Sequence, residues 1–215
     1  MRHEGADDII GENPRQNKVM AQRRRLLLAS SSRYRKDLLG RLGLAFEIAA
    51  PAIDETPLPN EAPADTALRL SIEKARALKD KFGDCLIIGS DQVASCGGVR
   101  YDKPGNHANA ERQLRSLSGR TADFHTAVSL LDAANGGIQS RVVLCRVTFR
   151  KLGDYLIEAY LRREQPYDTA ASAKAEGLGI ALIARIETED PTSLIGLPLI
   201  ALSEMLERAG QPVLP

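Results

Sequence analysis

Cys85-Leu86-Ile87-Ile88-Gly89-Ser90-Asp91 is the stretch whose reading decides the fold. A short apolar run with no polar alternation reads as a strand covered on both faces, hence central in its sheet. The run ends abruptly in Ser90 and Asp91, and a carboxylate placed there needs a partner: a cation, a metal ion or a backbone cap. Just upstream, Ala67, Leu68, Leu70, Ile72, Ala75 and Leu78 recur at helical spacing and predict a long amphipathic helix over Asp65–Phe82. Before it, Leu26–Ala29 is a short buried strand, and Ser30-Ser31-Ser32 supplies N-cap chemistry for a helix to about Leu42. Ala45–Ala50 reads as another strand, and the prolines of Pro51–Pro63 interrupt any regular element.

Downstream, the pattern predicts a helix over His107–Leu117 and a hairpin of Phe124–Leu131 with Ile138–Phe149 around Asn135-Gly136-Gly137. A helix over Gly153–Arg163, a strand over Ile180–Ile186 and a final helix from about Pro198 to Ala209 complete the chain. Strands and helices alternate without an internal repeat, so the expected class is α/β with a mixed sheet.

With 215 residues, 43% of them hydrophobic, the chain suits one compact or two-lobed domain, expected over residues 25–215. Residues 1–24 are polar and aperiodic and are expected to be a disordered arm, within which Met20 is an alternative start. Lys and Arg total 29 against 28 Asp and Glu, so no global field draws in a nucleic-acid polymer or an acidic membrane. Any handling of phosphate must be local. The cluster Arg23-Arg24-Arg25 has no interleaved aromatics and reads as a solvated flank. Cys85, Cys96 and Cys145 form neither a CxxC pair nor a zinc spacing and read as reduced thiols. No apolar run approaches a membrane span and the N-terminus carries no signal-peptide core, so a soluble cytoplasmic protein is expected.

Three stretches set hydroxyls and charges where elements end, the usual place for a ligand in an α/β sheet. They are Ser30–Arg35, Asp54-Glu55-Thr56 and Gly89–Val93. Ser30 and Arg35 at a helix N-terminus can cradle a phosphate, although serine there is also an ordinary cap. Taken alone, Glu55 reads as a solvated acid, and Lys74 and Lys103 as surface lysines.

Taken in order, LLLASSSRYR (from Leu26), FEIAAPAIDET (from Phe46), SIEKA (from Ser71), LIIGSDQV (from Leu86), YDKP (from Tyr101), QLRSLSGR (from Gln113), KAEGLGI (from Lys174) and DPTSLIGLPL (from Asp190) resemble the Maf family over about residues 26–208. That resemblance implies a two-lobed fold like that of the inosine triphosphatases, with a cleft between the lobes. It also implies a nucleotide pyrophosphatase that cuts between the α and β phosphorus atoms, and a homodimer. By the same resemblance, Asp91 is the proton acceptor and Glu55 with Asp91 holds a divalent cation, Mg²⁺ or Mn²⁺, as hard oxygen ligands beside a triphosphate favour. Ser30, Arg35, Lys74 and Lys103 become the phosphate-binding set. Asp102 stands where the family usually has Gly before Lys-Pro.

Three positions separate the branches of the family: Tyr34, Gln92 and Glu176 here. Gln and Glu match the branch acting on 7-methyl-GTP, which removes modified nucleotides, and Tyr replaces that branch's Trp. A carboxylate can accept both N–H donors on guanine's Watson–Crick edge, and an aromatic face favours a purine made cationic by N7-methylation. The alternative for Tyr34 is a core aromatic on a helix face. A dTTP/UTP pyrophosphatase and a nucleotide-binding regulator of septum formation are the alternative readings.

Overall fold

The computed structural model describes residues 24–214. The expected arm over residues 1–24, with Met20, lies outside the described residues except for Arg24. That residue's guanidinium forks onto both carboxylate oxygens of Asp132, and its carbonyl accepts a bond from Gln211. Arg25 pairs with Glu47 and Asp84, so this end of the basic cluster is held by acids.

The elements run β1 (Leu26–Ala29), α1 (Arg33–Gly40), β2 (Phe46–Ala49), α2 (Pro63–Arg76), β3 (Leu86–Cys96), β4 (Val99–Arg100), α3 (His107–Leu117), β5 (Thr121–Asp132), β6 (Ile138–Phe149), α4 (Asp154–Glu164), β7 (Ile183–Thr188) and α5 (Leu199–Arg208), with 3₁₀ turns between α4 and α5. The strands form one seven-stranded mixed sheet ordered β2-β1-β3-β5-β6-β7, with β4 on β3. β1 pairs in parallel with β2 and β3; the remaining pairings are antiparallel.

Alternation along the short strands sends side chains to two layers. Leu26, Leu28, Leu86 and Ile88 meet α1 and α5 through Leu38, Leu39, Leu202 and Leu206. Leu27, Ala29 and Ile87 meet Ala75 of α2 and Leu78 beyond it. A separate cluster around Phe124, Phe149, Leu114, Leu117, Ile157 and Leu161 forms the second lobe, under α3 and α4. The long strands β3 and β5 pass from one lobe into the other, and the cleft opens where the neighbouring β1 stops.

The structure corrects three boundaries. β3 does not end at Asp91 but runs to Cys96, because β5 pairs with it residue by residue from Leu86↔Asp132 to Ser95↔Asp123 and carries the polar positions. α2 ends at Arg76, not Phe82; shorter-range bonds such as Leu78 N to Ala75 O and Lys79 N to Arg76 O tighten the chain before it enters β3, while Leu78 stays in the core. β7 begins at Ile183, since the amides of Gly177 and Gly179 both bond the Lys174 carbonyl and coil the preceding segment. Among the described residues no helix is long and apolar enough to cross a membrane. All three cysteines are buried and unbridged, and burial pushes the Cys145 thiol up to about 11.

Candidate active site

β1 pairs with β3 only as far as Ala29↔Gly89. Beyond that point the chain of β1 peels off through Ser30 into α1, whose cap is the Ser32 side chain on the Arg35 amide. The edge of β3 it leaves behind carries Ser90 and Asp91. Ser90 turns one way, and its hydroxyl donates to the Ala127 and Gly196 carbonyls. Asp91 turns the other way, toward α2.

α2 comes close because Gly89 has no side chain: a Cβ there would stand 2.0 Å from the Ser71 carbonyl oxygen. Ser71 adds a hydroxyl contact to Ser129 at 2.7 Å. One helical step on, Lys74 is buried, and its ammonium donates to Asp91 Oδ1 at 2.7 Å and to Glu55 Oε2 at 2.8 Å. A buried lysine between two carboxylates satisfies the burial rule for charge. Glu55 sits in a loop tied to α2 by Arg69, which binds Glu61 and the Thr56 carbonyl. The Arg69 guanidinium brings the Glu61 carboxyl down to about 2.

Around this centre lies a cavity of about 850 Å³, and every candidate named from the sequence lines it. Arg35 donates to the Gly196 carbonyl at 2.9 Å and reaches Ser30 Oγ at 3.4 Å. Burial lowers its pKa, against the raising effect of Asp91 and Glu55. Lys103 is exposed, on a loop held by Gln113 and Asn109 through the Asp102 and Pro104 carbonyls. Asp102 keeps a negative φ, so aspartate stands there without the strain that would call for glycine.

Also on the cavity lining, Tyr34 is bonded through its hydroxyl to Asp168, and the Arg33 guanidinium lies 4.8 Å from its ring centre. Arg33 also pairs with Asp168 at 3.3 Å, so these three residues join α1 to the second lobe. Glu176 is exposed at the rim; lost hydration first, then the Glu164 and Asp168 charges, raise its pKa, while Lys174 lowers it. Gln92 is committed elsewhere: its amide nitrogen donates to Thr126 Oγ1 and to the Ser193 and Leu194 carbonyls.

The DPTSLIGLPL segment proves to be a brace. Buried Asp190 accepts from the amide and hydroxyl of Thr192 and from the Ile200 and Ala201 amides at the start of α5. The turn it fixes presents the Gly196 carbonyl to both Arg35 and Ser90. Sequence reasoning missed this carbonyl, together with Asp168, Arg33 and Arg100; Gly196 and Arg33 sat inside quoted motifs, whereas Asp168 and Arg100 carried no signal.

Among the described residues no cluster of three or more Asp, Glu, His or Cys could encage a metal by itself. Asp91 Oδ2 and Glu55 Oε1 make no hydrogen bond to a described residue. Two such oxygens suit an ion that keeps waters and takes its other ligands from phosphate, as Mg²⁺ does.

The sheet and the cleft define a two-lobed α/β protein whose interlobe cavity sets lysines and arginines against carboxylates, an arrangement suited to a polyanion. The chain belongs to the Maf-like protein family, whose sequence model matches residues 25–209. It is 57% identical to a 7-methyl-GTP pyrophosphatase of Cupriavidus pinatubonensis, over 87% of this chain and 94% of that protein. Proteins of the same name from Thiobacillus denitrificans (55% identity; 88% of this chain, 94% of the other) and Burkholderia pseudomallei (54%; 88% and 89%) are similar to it. A solved HAM1 protein from Coxiella burnetii aligns over 60% of this chain and 74% of its own, at 16% identity and a TM-score of 0.42.

Proposed function

We propose that this chain hydrolyses 7-methyl-GTP to its monophosphate and diphosphate. The observation that carries the reading is Lys74 held between Asp91 and Glu55 inside a cavity that Glu176 and Tyr34 also line. Names of relatives at 53–57% identity supply the substrate class. In this mechanism water attacks the α-phosphorus, a bond forms from its oxygen to that phosphorus, and the bond to the bridging oxygen of the β-phosphate breaks. Asp91 takes the proton of the attacking water. Lys74 orients Asp91 for that purpose through its 2.7 Å bond, and Arg35 and Lys103 meet the charge that builds on the departing diphosphate. A Mg²⁺ or Mn²⁺ ion held by Asp91 and Glu55 would neutralise phosphate charge and make water easier to deprotonate.

At the base end, the Glu176 carboxylate accepts the two N–H donors of guanine, and the positive charge of the methylated ring favours a site with Glu176, Asp168 and the Tyr34 face. Diphosphate release from 7-methyl-GTP, GTP, dTTP and UTP, with Mg²⁺ or Mn²⁺ and with chelator, tests the whole reading. The expected result is metal-dependent turnover that is highest on 7-methyl-GTP. Preference for dTTP or UTP would overturn the base assignment, and no turnover on any triphosphate would overturn the activity.

A further inference from the structure

Arg100 lies on β4, on the wall of the cavity that also carries Lys103. Its one hydrogen bond among the described residues runs from Nη2 to Thr66 Oγ1, at 2.9 Å. Thr66 in turn donates a hydrogen bond from its hydroxyl to Glu61, whose carboxylate is already matched by Arg69. Of the five part-buried arginines in the described residues, Arg24, Arg69 and Arg141 are paired with carboxylates, and Arg35 and Arg100 are not. Both unpaired ones face the same cavity.

A guanidinium removed from bulk water with no anion beside it is unfavourable, and it persists where a ligand supplies the charge. Its planar fork matches two oxygens of a phosphate. Thr66 engages only Nη2, which leaves Nε and Nη1 as donors, and fixes the plane of the group at low cost in lost side-chain freedom. Arg35 faces the cavity from α1 beside Ser30, whereas Arg100 faces it from β4, beyond Asp91 along β3 and next to Lys103. A triphosphate whose α-phosphorus sits at Asp91, with its base toward Tyr34 and Glu176, extends its terminal phosphates toward this second wall.

The geometry points to Arg100 as a further substrate-binding residue that grips the β and γ phosphates, and so the diphosphate product. This rests on the pyrophosphatase reading for its orientation but tests a different contact. The experiment measures competitive inhibition by inorganic diphosphate and by the nucleoside monophosphate in full-length wild-type, Arg100→Ala and Arg100→Lys proteins. Loss of a charge-assisted contact should raise the diphosphate inhibition constant about 10- to 100-fold in Arg100→Ala, with part of the loss recovered in Arg100→Lys. Inhibition by the monophosphate should stay within about two-fold, because that product leaves the β/γ end empty.

An unchanged diphosphate constant overturns the inference. So does equal weakening of both products, the result of a cavity wall that has lost its brace on Thr66. Calorimetric binding of inorganic diphosphate to the wild-type protein separates the two readings. Arg100-dependent binding without turnover of any triphosphate would remove the activity and leave this contact standing, while no binding at all would remove the contact.

Discussion

Gly89→Ala is the substitution the site is least able to accept. The new Cβ would lie 2.0 Å from the Ser71 carbonyl oxygen and 2.9 Å from the Ala75 nitrogen, both backbone atoms of α2. Ordinary contact starts at 3.4 Å, so helix and strand must part by about 1.4 Å, and a close-packed interior passes such a shift on instead of absorbing it. Lys74 stands between those two contact residues, and its 2.7 Å bond to Asp91 cannot stretch that far and survive. Overpacking of this kind costs about 1–3 kcal/mol. Misplacing a reacting group by ~1 Å costs about 10²-fold in rate. The expected outcome is a kcat for triphosphate hydrolysis lower by about 10²-fold, with Tm lower by about 4–8 °C for a loss near ~2 kcal/mol. Diphosphate release and calorimetric unfolding read the two effects. Gly40→Ala, at the end of α1 where a Cβ meets nothing within 4 Å, serves as the control and should be neutral or stabilising by about 0.5–1 kcal/mol. A Gly89→Ala protein with wild-type kcat and Tm would refute the claim that this close approach seats Lys74 on Asp91.

Asp91→Asn removes the proposed proton acceptor and should lower kcat at least about 10²-fold under metal saturation, with KM changed far less; unaltered kcat would end its assignment as the base. Glu176→Gln keeps the shape but offers guanine a donor where an acceptor is needed, so the kcat/KM ratio of 7-methyl-GTP over UTP should fall by about 10-fold; an unchanged ratio would separate Glu176 from base recognition. The Glu61 carboxyl is lowered to about 2, chiefly by its Arg69 bond, so its stabilising effect is full above the ordinary value near ~4.3 and is lost as pH falls through about 2. Thermal unfolding between those pH values should therefore be steeper in pH for the wild type than for Glu61→Gln, and equal slopes would contradict the coupling.

Much of this architecture is legible where periodicity and punctuation agree. Leu26–Ala29, the His107–Leu117 helix capped by Asn106, and the hairpin turning on Asn135-Gly136-Gly137 all follow from local chemistry. β3 misleads because Ser90 and Asp91 look like the end of a strand, and only its distant partner β5 shows that they lie inside one. β4 has two residues and offers no pattern to find. At the site, Asp91, Glu55 and Lys74 stood out through their motifs, yet nothing local could reveal that Lys74 bridges the two acids. The same holds for Gln92, whose acceptors Ser193 and Leu194 are 101 and 102 residues away. Arg100 and Asp168 are common surface types outside any motif, and only folding gives them meaning.

The passage of β3 and β5 through both lobes has a mechanical consequence. A pair of domains joined by loops can swing about a hinge, but here the connection is a band of paired backbone in which Ser90 through Ser95 stay in register with Val128 through Asp123. Swinging the two halves apart would require bending that band, and shearing its strands would break the ladder of bonds between them. The band resists a wide swing of the jaws, so the parts with least holding them, the Pro51–Pro63 loop and the exposed Lys103 side chain, are expected to yield first when a ligand enters. Heating should accordingly melt both halves in one transition, with no temperature at which one lobe outlives the other.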